Sequence, residues 1–429
     1  MEPKAIYLVG GAVRDVLLGR PVSDLDLLVE GFSQDELKAT LGEPNGKSFP
    51  VWRYGPFEVA AARLERKTGA GHKGFSVEWG EHVTARQELG RRDFTVNALA
   101  LLIWSGNGGM PSVRTLEAIT AAAIVDLSKH GRNAVGLLNP FGGLEDLLDH
   151  KVLRATNRKA FREDPLRVLR LARFAARWPW MSLDEWTVEA ARNAVHELKT
   201  LPAERVWNEW VKASKTRRPD RFFQVLDQVG ALEHLPGFAW LKRAKQLTPP
   251  NHSESLFDHS LRTLRAARRL VGVDVALLSA ALWHDRGKLA GSVGHDRHGV
   301  EMALEDLDAL KAPRNVRRTV ATWVRNHMRV WDAKRAGKLV RLAADLDRAG
   351  FDPNLVTRMA AADSLGSTKR KSDARAICKM HRRLALAFKS LSAVRGDDPA
   401  LDGVSGQDVG VKLLGLRAHW LSRRMRGRL

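Results

Sequence analysis

Two carboxylates two residues apart, Asp24 and Asp26 in Ser23-Asp24-Leu25-Asp26-Leu27, are the first chemistry the chain offers. On a strand such residues share a face, so both acids point one way and Leu25 and Leu27 point into a core. Side by side they repel unless a cation lies between them, and an oxygen-only pair suits magnesium. The stretch before them, residues 5–9 (AIYLV), is an apolar run short enough for a buried strand. Gly10 and Gly11 break it, and residues 12–19 then carry apolar side chains at helical spacing. Glycine lets backbone N–H groups approach a ligand, and a helix start adds a partial positive charge. Arg14, one turn in, adds a charged fork, so Gly11 and Arg14 are candidate contacts for a phosphate.

A second set of chemical side chains lies in the C-terminal half: His259, His284-Asp285, Gly287-Lys288, His295, His298, His327 and Asp363. Imidazole with carboxylate suits a divalent transition metal. A His-Asp pair alone is weak, but the ordered series across helical segments is not.

The elements that must position these groups follow from the pattern. Residues 33–50 read as a helix and a turn, and 57–64 as a strand carrying Glu58. Residues 67–75 (KTGAGHKGF) are glycine-rich and basic, and 91–99 (RRDFTVNAL) read as the start of a helix. From about residue 150 the pattern turns helical. Asp164 before Pro165 is a helix N-cap with proline in the first turn. Arg167, Arg170, Arg173 and Arg177 recur at three and four, which makes one basic stripe on one helix face.

The Gly-Gly turn, helix and Asp-x-Asp strand resemble the catalytic signature of the polymerase-beta nucleotidyltransferase superfamily. That resemblance implies an α/β head on a mixed sheet, with Asp24 and Asp26 binding Mg2+ and Glu58 as a third catalytic carboxylate. Arg91 to Leu99 narrows it to tRNA nucleotidyltransferases and bacterial poly(A) polymerases. By that similarity Arg92 binds the triphosphate, and Asp93 and Asn97 lie in the nucleotide pocket. Residues 161–174 resemble the family's fourth motif, which adds Asp164, Arg167, Arg170 and Arg173 to the nucleotide contacts. Residues 202–209 resemble its fifth. The histidine series resembles an HD-type metal phosphohydrolase domain, with His259, His284, Asp285 and Asp363 as ligands and His298 and His327 nearby. Arg286, in place of the usual apolar residue, is a departure, and the region after His298 speaks against a binuclear site. Residues 104–140 depart too: the family's short hairpin becomes a longer stretch, read as an added surface hairpin or a partner site, and its Asp-Pro becomes Asn139-Pro140.

Together the halves resemble the bacterial-type CCA-adding enzymes with an appended HD domain. The implied organisation is a nucleotidyltransferase head at 1–148, a helical neck and body at 149–245, an HD domain at 246–368 and a basic helical tail at 369–429. The implied partners are tRNA, CTP and ATP. Bacterial poly(A) polymerase is the first alternative; an RNA-binding protein with dead sites and an HD phosphohydrolase that docks through its head are two others.

The 429 residues suffice for about three domains. Lys and Arg number 70 against 49 Asp and Glu, a formal charge of +21 that points to nucleic acid. No apolar run reaches the length of a membrane span and no signal peptide is legible, so no membrane partner is expected. One cysteine, Cys378, excludes an internal disulfide and fits a reducing cytoplasm.

Overall fold

β1 (Lys4–Val9) buries Ala5, Ile6, Leu8 and Val9, and it takes the middle of the N-terminal sheet. The computed structural model describes residues 3–45, 50–67, 75–249, 253–368 and 374–426, with 65–67 and 75–77 as backbone only. The chain divides after Leu201 into two units. The expected neck-and-body segment, 149–245, is thus divided between the two. Residues 68–74 of the glycine-rich loop lie outside the described residues, as do 369–373 and 427–429 of the tail.

In the first unit α1 (Gly11–Leu17) leads to β2 (Leu25–Glu30), α2 (Gln34–Leu41), β3 (Val51–Tyr54) and β4 (Phe57–Ala61). β5 (Arg63–Lys67) and β6 (Phe75–Trp79) form a separate pair before α3 (Ala85–Gly90) and β7 (Ala100–Gly106). α4 (Val113–His130) and β8 (Leu137–Leu138) follow. The six-stranded sheet runs β3-β4-β2-β1-β7-β8, with β2 parallel to β4 and its other pairings antiparallel, so the head is mixed. The β2–β4 register sets Asp26 opposite Glu58.

Two local expectations change here. Residues 91–99 do not start a helix: α3 ends at Gly90, only Thr95–Asn97 makes a 3-10 turn, and the chain enters β7. Thr84 caps α3 in a capping box with Gln87, which fixes the helix six residues earlier than expected. The 104–140 stretch is not a hairpin. It holds the 18-residue α4, capped by Ser112, whose Leu116, Thr120 and Leu127 share one buried face.

The first unit continues through α5 (Gly143–Leu148), β9 (Val152–Leu153), α6 (Ala160–Glu163), α7 (Leu166–Arg177), β10 (Ser182–Leu183) and α8 (Glu185–Arg192). Asn139 braces the start of α5: its amide oxygen accepts from the Leu144 N–H (3.1 Å) and its amide nitrogen donates to Glu145 (2.8 Å). Phe94 packs edge-on against Phe174 of α7, joining the 91–99 segment to that helix.

The second unit comprises α9 (Ala203–Ser214), α10 (Pro219–Gln228), α11 (Trp240–Ala244), α12 (Leu256–Leu270), α13 (Val275–Trp283), α14 (His295–Ala309) and α15 (Arg314–Asn326). Then come α16 (Arg329–Asp332), α17 (Ala336–Asp347), α18 (Pro353–Gly366), α19 (Ala374–Ala393) and α20 (Gln407–Arg426). α13 is apolar all round and buried from Ala276 to Trp283, hence central. Trp210, Phe222, Phe223, Phe238 and Trp283 build an aromatic core beside it. The tail is ordered helix where described: Met380, Leu384 and Ala387 bury one face of α19, and Arg417 of α20 donates to the carbonyls of Val394 and Leu391 at its end. No helix among the described residues is long and apolar enough to cross a membrane.

Candidate functional sites

In the head, Asp24, Asp26 and Glu58 line one cavity of about 570 Å3 together with Ser23 and Arg53. Asp24 sits just before β2 and Asp26 on it, while Leu27 is fully buried beneath. Burial raises the Asp26 pKa above the usual carboxylate value, and Glu58 adds to the rise. A pair of acids that resist joint ionisation, facing open space, fits a cation held through few protein oxygens, as magnesium is.

Gly10 has φ +67°, and its N–H is spent on the carbonyl of Leu99 (3.0 Å). Its lack of a side chain serves another purpose: a Cβ there would collide with the Arg92 guanidinium. Arg92 is therefore seated directly on the Gly10-Gly11 turn, with its Nε buried and unpartnered. Burial lowers its pKa, against Glu88, and it lies within electrostatic reach of Asp26.

Arg14 is buried. Its guanidinium donates to Asp15 (2.9 Å) and to Asn97, and it stacks over Trp178 (4.8 Å). Asn97 in turn donates to Asp93 (2.9 Å), and Asp93 accepts from Arg170 (2.6 Å). Asp15 also pairs with Arg177 (3.1 Å). Burial alone would raise the Asp93 pKa, but Arg170, Asn97 and Arg167 together hold the carboxyl low. One polar chain thus ties α1, the 95–97 turn and α7. Asp15, unremarked in the sequence, completes it.

On α7 the stripe is present: Arg167, Arg170, Arg173 and Arg177 are half-buried on one face, and the intervening residues are mostly buried. Asp164 accepts from the Leu166 N–H (3.1 Å), which is a capping bond. Arg167 donates to the carbonyls of Ala160 (3.2 Å) and Arg91 and pairs with Glu163 (3.5 Å). Arg173 lies over Phe174 (4.1 Å).

The C-terminal unit gathers His259 from α12, His284 and Asp285 from the end of α13, and Asp363 from α18. Each of the two imidazole Nε2 atoms lies 3.2 Å from Asp363 Oδ1. The sequence left a second metal position in doubt, and the donor arrangement offers one. Asp285 also turns its other oxygen to His295 and His327, each at 3.3 Å, so two three-residue donor groups meet at one shared carboxylate. The histidine that joins His327 is His295, not His298. His295 is the first residue of α14 and buried, whereas His298, three residues on, is exposed.

Gly287 makes this possible. Any Cβ there would collide with the His295 carbonyl and the Gly299 backbone, so the segment after Asp285 presses directly against the start of α14. Gly287 and Gly299, twelve residues apart, are the residues whose close approach seats His295.

The donor atoms test the fit to a metal. His284 Nδ1 donates to Ala281 (2.8 Å), His295 Nδ1 to Ser292 (2.8 Å) and His327 Nδ1 to Val324 (2.7 Å). A carbonyl only accepts, so in the neutral rings the lone pairs sit on Nε2. Those lone pairs converge: His259 and His284 Nε2 lie 3.0 Å apart, and His295 and His327 Nε2 3.1 Å apart. Only protons or a cation relieve that arrangement. Without a cation, burial opposes charging His284, but Asp285 and Asp363 prevail and push its pKa up to about 10. Arg286, the departure noted in the sequence, is buried against Asp306 (2.6 Å) and over Trp240 (5.5 Å), away from the donors.

Comparison with known proteins places three family models on the chain: the poly A polymerase head domain at residues 6–114, the probable RNA and SrmB-binding site of polymerase A at 181–241, and the HD domain at 256–382. The multifunctional CCA protein of Verminephrobacter eiseniae is 33% identical over 97% of this chain and 99% of its own length. That of Halorhodospira halophila is 37% identical over 80% and 78%. Among solved structures, a CCA-adding enzyme in complex with ATP matches 97% of this chain and 86% of its own at a TM-score of 0.61 and 19% identity. The Thermotoga maritima CCA-adding enzyme complexed with tRNA matches 99% and 91% at 0.58 and 18%.

Proposed function

The chain belongs to the family of multifunctional CCA proteins, and we propose that it adds C, C and A to the 3′ end of tRNA from CTP and ATP without a nucleic-acid template. The observation that carries the proposal is the cavity that brings Asp24, Asp26 and Glu58 together while Arg92 sits on the adjoining Gly10-Gly11 turn. Asp24 and Asp26 hold Mg2+, which when bound favours the 3′ oxyanion and neutralises the leaving pyrophosphate. The 3′ hydroxyl of tRNA attacks the α-phosphorus, and the bond to pyrophosphate breaks. Arg92 takes triphosphate oxygens from its seat on the Gly10-Gly11 turn. Arg14 is fixed by Asp15, Asn97 and Trp178, so a phosphate meets it already oriented. The +21 charge favours tRNA as the partner, and the single cysteine fits the cytoplasm. Incubation of tRNA lacking its last three nucleotides with labelled CTP and ATP and magnesium, followed by 3′-end sequencing, tests this. Tails of A alone would indicate a poly(A) polymerase instead.

The HD half is the second activity: hydrolysis of phosphoesters at RNA ends, including cyclic phosphates, with His259, His284, Asp285, His295, His327 and Asp363 holding divalent transition metal. When bound, that metal supplies a nucleophilic water at neutral pH. The Nδ1 bonds hold the imidazoles of His284, His295 and His327 in the tautomer that presents Nε2.

Base choice rests on Asp164 and Arg167. Cytosine and adenine each offer an amino donor beside a ring-nitrogen acceptor, which a carboxylate and a guanidinium match. Uracil and guanine present a carbonyl where the amino group should be. The capping bond from Leu166 makes alanine at 164 ambiguous, because it removes cap and carboxylate together. Asp164→Asn separates them, since asparagine caps equally well but presents a weaker and rotatable acceptor. Its expected outcome is an unchanged melting temperature with discrimination against UTP and GTP relaxed by about tenfold, the worth of roughly one charged hydrogen bond. Measurement of kcat/KM for all four nucleotides decides it: unaltered ratios leave Asp164 as a cap alone.

A further inference from the structure

Glu254 is buried just before α12, five residues ahead of His259, and lies outside the six metal donors. Its carboxylate gathers hydrogen-bond donors from two ends of the HD segment. The Ser253 N–H and hydroxyl donate to Oε2 (3.2 and 3.1 Å), the Thr368 N–H donates to Oε1 (3.0 Å), and the Thr368 hydroxyl donates to Oε2. Arg262 Nη2 lies 3.2 Å from Oε1, while Arg262 Nε donates to the Gly366 carbonyl (3.0 Å). That set of donors beside a guanidinium favours the ionised carboxylate. Gly366 is the last residue of α18, the helix of Asp363, and a Cβ there would collide with Thr263 of α12. Glu254 thus clasps the helix that carries His259 to the helix that carries Asp363.

The same carboxylate stands behind a metal donor. His284, His295 and His327 each give their Nδ1 hydrogen to a main-chain carbonyl three residues back. At His259 a charged group takes that place: Glu254 Oε1 lies 4.0 Å from Nδ1. Negative charge there favours the hydrogen on Nδ1 and leaves the lone pair on Nε2. Nε2 is the atom that lies 3.2 Å from Asp363 and 3.0 Å from His284 Nε2. A carbonyl is fixed by its own helix, whereas a side-chain carboxylate has to be held, and Ser253, Arg262 and Thr368 hold this one.

We propose that Glu254 is a positioning residue for the His259–His284–Asp363 group: it sets the tautomer of His259 and ties α12 to the end of α18, and it leaves the Asp285–His295–His327 group alone. This rests on the metal-hydrolase reading above and extends it to a residue that acts through a ligand rather than as one.

Calorimetric titration of the full metal-free chain with manganese or nickel tests it, and Asp363→Ala identifies the binding step that belongs to this group. Glu254→Gln keeps the shape of the side chain but loses the charge, and its amide can donate to Nδ1 and so favour the wrong tautomer. That step should weaken by about tenfold to a hundredfold, the usual cost of losing a partner behind a metal ligand, while the other step keeps its wild-type affinity. Glu254→Asp keeps the charge but draws it back by one methylene, and should fall between the two. Thr368→Val removes one bond of the clasp and leaves the carboxylate, so it should lower the melting temperature yet keep nearly the wild-type affinity. Equal weakening in Thr368→Val and Glu254→Gln would make Glu254 a clasp alone and overturn the proposal, as would an unchanged first step in Glu254→Gln. Where Glu254→Gln does not fold, Glu254→Asp judges alone: weakening of the first step only supports the proposal, and weakening of both steps or of neither overturns it. A wild type that takes up no divalent ion would overturn the metal reading itself, and this proposal with it.

Discussion

Asp24→Ala and Asp26→Ala are each expected to reduce nucleotide transfer at least about a thousandfold, the worth of several kcal/mol of charge stabilisation at the transition state. The tRNA-binding surface is spread over a chain of net charge +21, so affinity for tRNA should hardly move. Asp26 permits a sharper form. Its pKa is raised by burial and by Glu58, so its ionised form is disfavoured in the folded state. A carboxyl with a raised folded pKa makes the fold less stable as pH climbs from the unfolded value through the folded one. That cost is complete above the folded pKa, and Asp26→Asn removes it. The metal-free Asp26→Asn protein should therefore melt no lower than wild type while being inactive in transfer. A destabilised variant would mean that Asp26 is structural, and substantial residual addition would discard its role in transfer.

How much of this was legible in the sequence differs by element. Local signals sufficed for β1, α1 and β2, because an apolar strand, a double glycine and a second strand are short-range facts. Which strand would lie beside β2 was not local: β4 comes from thirty residues on, and the parallel register that sets Glu58 opposite Asp26 depends on the whole sheet. Residues 91–99 look helical in isolation, yet the Thr84 capping box starts the helix at Ala85, it stops at Gly90, and Phe94 is drawn onto Phe174 of α7. Tertiary packing overrode local preference there. Gly10 shows a different limit. Its need was visible, but its reason was read as room for a ligand, when the neighbour it makes room for is Arg92. Likewise Asp164 and Arg167 were paired by spacing, while the structure gives Arg167 two main-chain carbonyls and Asp164 a cap. In the C-terminal half the chemistry of His259, His284, Asp285 and Asp363 was plain. The choice between His295 and His298 was not, because it depends on which side of one helical turn faces Asp285, and only the Gly287–Gly299 approach decides that.

That shared carboxylate gives the second large effect. Asp285→Ala removes the one group that touches both donor sets, with Oδ2 3.3 Å from His284 and Oδ1 3.3 Å from His295 and His327. Wild type should take up one divalent ion per donor group, two in all, and Asp285→Ala should retain neither, with phosphoester hydrolysis lost. Asp363→Ala takes a ligand from the His259–His284 group alone and should leave one ion, so the stoichiometry separates a shared ligand from general unfolding. Transfer by the head should survive in both, since its carboxylates belong to the other unit. Hydrogen-ion linkage provides an independent check. In the metal-free protein His284 is raised to about 10 by Asp285 and Asp363 against the effect of burial, so it carries a proton at pH 7. A metal must displace that proton, and affinity should climb with pH from 6 to 9. A raised histidine pKa contributes stability that is complete below its unfolded value of about 6.5 and disappears as pH rises through the folded one. Metal-free protein should thus lose melting temperature between pH 7 and 10, whereas loaded protein, whose His284 holds a cation in place of the proton, should not show that loss. Identical pH profiles for the two forms, or full metal content in Asp285→Ala, would show that Asp285 does not join the two groups.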